Sequence, residues 1–140
     1  MREHADIRNA FADALEAFVA LPPNVALFGG VCRVSVEEVP QDWSLRTGPP
    51  LVTVHDDGGP EQWPIKRDPT IRITVRARGA DLADRVARRV HGYLHDNRPP
   101  GVAHIFRTGG SVFVTARDTD TGADMASFTV TAAVRTIETV

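Results

Sequence analysis

Cys32 is the only cysteine in a chain of 140 residues, so no internal disulfide can form and the fold must rest on packing alone. Lysine is almost as scarce. Lys66 is the single lysine among 16 basic residues, the rest being Arg. Arginine suits fork-shaped contacts to carboxylates at interfaces, and GC-rich coding produces the same bias. A charge excess of either sign is missing too. Sixteen basic against 18 acidic side chains leave a net charge of -2, without the broad positive field that sequence-independent duplex binding requires. No apolar run approaches the ~20 residues of a membrane span, and Met1-Arg2-Glu3-His4 opens a polar stretch without the apolar core of a signal peptide. These absences predict a protein made and folded in a cytoplasm, with neither nucleic acid nor membrane as its default partner.

What is present suffices for a single domain, residues 1–140, able to bury roughly two thirds of its unfolded surface. Ile7, Phe11, Leu15 and Phe18 recur at helical spacing until Pro22 and Pro23, which predicts an amphipathic helix. Val25 to Val36, interrupted by Gly29-Gly30, reads as one long strand, bent or bulged at the glycines. Residues 38–50, around Trp43, read as a loop. Leu51 to His55 reads as a short strand, and residues 56–69, with Trp63, as a second long loop. The clearest alternation in the chain sets Ile71, Ile73, Val75 and Ala77 against Arg72, Thr74, Arg76 and Arg78. Leu82, Val86, Val90 and Leu94 then predict a second helix. Three more strands follow, at 102–107, 112–118 and 126–137, with turns at Gly109-Gly110 and 118–124. The expected fold class is α+β: a mixed, mainly antiparallel sheet of about five to six strands flanked by two helices, in the order α-β-β-β-α-β-β-β.

Four local patterns suggest chemistry, and each lacks something its mechanism needs. Asp120-Thr121-Gly122-Ala123 has the signature of an aspartic protease carboxylate, yet it lies in a polar turn without apolar residues to bury it. Asp118, Asp120 and Asp124 are spaced like the start of a calcium loop. That loop wants Gly at its sixth position and Glu at its twelfth, where Ala123 and Thr129 stand. His91 and His95 are one helical turn apart, but Gly92 occupies the place of a metalloprotease general base, and a third ligand, His104 or His55, is placed nearby by nothing in the sequence. His55-Asp56-Asp57-Gly58-Gly59 follows a strand, where a cation site, a general base or a plain chain reversal would each fit. Cys32, among valines, reads as core. No Gly-rich phosphate loop is present. Catalytic residues, cofactor and resident metal are therefore all expected to be none.

That leaves the surface. Arg72, Arg76 and Arg78 project from one strand face and call for acidic neighbours, from the same chain or from a partner. Trp43 and Trp63 occupy the two longest loops, where Trp either anchors an interface or folds back over the sheet. Trp43, Trp63, Arg72, Arg76 and Arg78 are accordingly the candidate interface residues.

The layout as a whole resembles the tail terminator proteins of long-tailed, siphovirus-type bacteriophages. The likeness is carried by the opening helix, the strand and loop LVTVHDDGG, the strand DPTIRITVRARG feeding the helix ADLADRVARRVHGYL, and the closing FTVTAAVRTI. It implies a hexameric ring that caps the finished tail tube, stops its polymerisation and joins the tail to the head connector. The partners implied are further copies of the chain, the tail tube protein and the head–tail connector protein, with DNA only as passing cargo. The place implied is the head-proximal end of the virion tail, after assembly in the host cytoplasm. The alternatives are a neck or head-completion protein of the same particle, or a small metal- or ligand-binding domain.

Overall fold

Alternation and helical spacing together build a two-layer α+β fold in the computed structural model, which describes residues 1–46, 48–111 and 113–139. Three helices and nine strands occur among the described residues, more elements than the sequence predicted, though of the predicted class. The order is β1(Arg2–His4), α1(Arg8–Val19), α2(Pro22–Phe28), β2(Arg33–Val36), β3(Leu51–Asp56), β4(Glu61–Gln62), β5(Lys66–Arg67), β6(Thr70–Ala77), α3(Ala80–Asp96), β7(His104–Ile105), β8(Val114–Arg117) and β9(Asp124–Glu138). No single helix among the described residues is long and apolar enough to cross a membrane.

The nine strands reduce to five columns. β9 is the spine. β6 pairs along its first half and β5 continues in the same register, so residues 66–77 form one ladder against β9. Even at the interruption Ala132 N–H donates to Pro69 O at 3.0 Å. On the other edge of β9 lie β8, β7 and β1 in turn. β3 runs antiparallel to β6, and β2 lies parallel to β3 as the outermost strand.

The segment expected to be a structureless loop, 56–69, is instead the far end of a long hairpin. Beyond β3 the pairing continues through Asp57 N–H to Thr70 O (2.9 Å) and Asp68 N–H to Pro60 O (2.8 Å), then through β4 and β5. Gly58 and Gly59 face Pro69 alone, a two-against-one bulge. Gly58 takes φ +80°, and a Cβ on Gly59 would lie 2.1 Å from Asp68 O, closer than any side chain tolerates. Gly59→Ala is expected to cost about 1–3 kcal/mol and to shift the hairpin end. Urea unfolding checks the cost, and an unchanged midpoint would mean the bulge is not a close approach.

The strand expected across 25–36 begins only at Arg33. Pro22 and Pro23 end α1, and Pro22 then serves as the first residue of α2, where a missing N–H costs nothing and φ is already helical. Gly29 closes that helix at φ 74°. Asn24, 1% exposed, joins the three helices: its Nδ2 donates to Phe18 O at 2.7 Å, and its Oδ1 accepts from Arg89 Nε.

The strands expected at 102–107 and 112–118 shorten to His104–Ile105 and Val114–Arg117, and Val112 lies outside the described residues. α1 packs on β2 and β3, and α3 on β6 and β9. Phe11 and Leu15 of α1, Val86, Val90 and Leu94 of α3, and Ile71, Ile73 and Val75 of β6 are all fully buried between the layers.

Candidate functional site

The opposite face of the sheet is polar because alternation sends every second residue of β3, β6 and β9 there. Row by row it presents Leu51, Arg76 and Met125; then Thr53, Thr74 and Ser127; then His55, Arg72 and Thr129. Two of its arginines meet carboxylates of the same chain. Arg72 Nε meets Asp57 Oδ2 at 3.0 Å, and Arg76 Nε meets Asp118 Oδ2 at 2.9 Å. Arg78 Nη2 donates to the carbonyls of Leu45 and Arg46 at 2.7 and 2.8 Å. Of the two sources open for the partners of this arginine face, the same chain supplies carboxylates to Arg72 and Arg76 and carbonyls to Arg78.

A second network, centred on Glu37, gathers where α1 starts. Glu37 has φ 66°, the one non-Gly residue with positive φ among those described. Its Oε1 accepts from Arg8 Nη1 (3.3 Å) and Asp56 N–H (3.2 Å), and its Oε2 lies 3.1 Å from His55 Nδ1. Burial works to raise the Glu37 pKa, but the Asp56 amide, His55 and Arg8 together hold it below the usual carboxylate range. Asp56 in turn binds Arg67 at 2.8 Å. The His55-Asp56-Asp57 run is therefore split among three separate contacts, a hydrogen bond between His55 and Glu37 and ion pairs of Asp56 with Arg67 and of Asp57 with Arg72. Its carboxylates do not converge, as a cation site requires.

The other chemical patterns disperse likewise. Asp118 organises its own turn, accepting from Asp120 N–H (3.0 Å) and Thr121 Oγ1 (2.9 Å), while Asp120 stays exposed. His91 and His95 stand 4.5 Å apart, ring to ring, and His91 packs edge-on against Phe113 and Phe128. Burial first, and then the neighbouring His95, lower the His91 pKa. His104 is exposed on β7. No group of three or more His, Cys, Asp or Glu side chains able to hold a metal occurs among the described residues. Burial pushes the Cys32 thiol up to about 12, which leaves almost no thiolate to react.

The two tryptophans part company. Trp43 is 8% exposed and packs with Leu51 and Ala123 as a small second core, its Nε1 donating to Pro49 O at 2.9 Å. Of the two outcomes open to it, Trp43 takes the one in which the ring covers part of the sheet, where an indole with its N–H satisfied is more stable than in water.

Trp63 is 54% exposed and Ile65 58% exposed, both at the turn between β4 and β5. The turn is firmly held. The Trp63 ring sits edge-on to His4 at 5.2 Å, His4 Nε2 meets Glu61 Oε2 at 2.6 Å, and Thr136 N–H donates to Ile65 O at 3.3 Å. Ile137 and Met1, both exposed, lie at the same end of the sheet. Ile65 was missed in the sequence, although Trp63-Pro64-Ile65 inside a polar stretch was a visible signal. The candidate site is this exposed apolar end of the hairpin. No protein-family model and no curated protein matches the chain.

Proposed function

We propose that the chain is a structural subunit that acts by associating with copies of itself and with other particle proteins, as a tail terminator does. In this reading it forms a ring, of six copies by the resemblance, at the head-proximal end of a virion tail. There it caps the tail tube, stops its growth and meets the head connector, while DNA passes through. One observation carries the reading: two large apolar side chains, Trp63 and Ile65, are presented to solvent on a braced hairpin end. Exposing them costs burial worth about 1.5–3 kcal/mol for an aliphatic side chain alone, which a partner surface recovers. The polar sheet face is compatible with the same reading, since Arg72 and Arg76 are paired within the chain with Asp57 and Asp118.

Sedimentation velocity with negative-stain imaging, on the protein alone and with tail tube subunits, tests the proposal. The expected result is a ring, at least on the tube. A monomer that forms none under either condition overturns it. Trp63→Ala is expected to weaken association by about 2 kcal/mol or more, roughly thirtyfold, with the thermal midpoint unchanged. A loss of folding cooperativity would instead make Trp63 a structural residue.

A further inference from the structure

The groove at the opposite end of the same hairpin has the shape and charge that the exposed end lacks. β3 leaves it at Leu51 and β6 returns to it at Ala77, whereas Trp63 lies some twelve residues along, up to about 40 Å away by strand rise. Two adjoining hollows of about 540 and 560 Å³ share Phe28, Gly29, Arg78 and Leu82 and so form one trough. Its rim exposes Leu27 (43%) and Val31 (52%). Arg46, Arg78 and Arg85 also line it. None of these three makes an ion pair with a carboxylate among the described residues. Arg78 and Arg85 donate instead to the carbonyls of Leu45, Arg46 and Leu27. The trough is thus apolar at its wall and net positive at its edge, where the three arginines outnumber the carboxylate of Asp81, which also lines it.

We infer that this trough receives the hairpin end of a second copy of the chain, with Trp63 and Ile65 entering and Glu61 facing the arginines. Glu61 stands two residues before Trp63; its Oε2 is held by His4 at 2.6 Å, but its side chain is 58% exposed, which leaves Oε1 as the acidic group best placed to meet Arg85. The two surfaces of one molecule cannot meet each other, because the rigid ladder on β9 keeps them at opposite ends. Each bound copy therefore leaves one free end and one free trough, a head-to-tail contact that closes as a ring or continues as a filament. This rests on the assembly reading above and names the surfaces through which it operates.

Two single variants, Ile65→Cys and Leu27→Cys, test it when mixed under mild oxidation, with Cys32 buried and out of exchange. A covalent dimer is expected from the mixture and little from either variant alone. In a second measurement by sedimentation, Glu61→Arg and Arg85→Glu are each expected to weaken association about tenfold, and an equimolar mixture of the two to restore it. If the protein assembles but no mixed disulfide forms and the charge-swapped mixture is no better than its parts, the end-to-trough contact is wrong while the assembly reading stands. If neither assembly nor any cross-link appears, both are overturned.

Discussion

Replacing Phe128 with Ala is expected to lower stability by about 3–5 kcal/mol, a large share of the ~5–15 kcal/mol that holds a domain folded. Phe128 is fully buried in the first half of β9, opposite Ile73. Its ring is met edge-on by Phe113 at 5.8 Å and His91 at 5.1 Å. Truncation removes the transfer free energy of the ring and leaves a void between sheet and α3 that two rigid layers cannot close. Phe128→Leu refills part of that void and should cost clearly less. Urea unfolding measures both. Equal losses from the two variants would show that volume at this position does not govern the cost.

Replacing Asp118 with Ala is expected to cost about 2–3 kcal/mol, below the ~3–5 kcal/mol of a fully buried pair because water retains some access. The Arg76 and Asp118 side chains are 16% and 13% exposed. Arg76 also donates to Thr53 Oγ1 at 3.3 Å, so losing the carboxylate strands a half-buried guanidinium over the sheet. Arg76→Leu in the same chain should recover part of the loss, since the stranded charge is then gone.

The pH dependence follows from the same pair. Burial works to raise the Asp118 pKa, but hydrogen bonds from Arg76, Thr121 and the Asp120 amide, with the charge of Arg76, hold it below the ordinary value. A carboxylate depressed in the folded state binds fewer protons than in the unfolded chain. Its contribution is therefore present above the ordinary carboxylate pKa and is lost as pH falls through the folded value. Asp118→Asn should flatten the stability profile of the protein in that acidic window and leave its slope near neutrality unchanged. An identical acid profile in the variant and the parent would count against the pair.

Periodicity made α1, β6 and α3 legible, because burial on one face depends on residue types three, four or two positions apart. Ile71, Ile73, Val75 and Ala77 point into the core as their alternation predicts. The stretch 25–31 misled because its apolar residues suit a strand as well as a helical turn, and the decision lies with Pro22 as a helix opener and Gly29 as a helix closer. The hairpin end was missed for a different reason. Its ladder depends on β9, more than sixty residues later in the chain, and on two glycines whose bulge reads locally as a loop.

The sequence by itself determined the α+β class and the core faces of its long elements, since each depends on residue type and near spacing. Only the tertiary structure decided the fate of the surface residues. It buried Trp43 and left Trp63 exposed, and paired Arg72 with Asp57 and Arg76 with Asp118. It also set the exposed hairpin end and the arginine-edged trough at opposite ends of one ladder. The physical reason is that burial pattern is a local property of a segment, whereas the partner of a charge or an indole is whichever group the fold brings within a few ångströms from far along the chain.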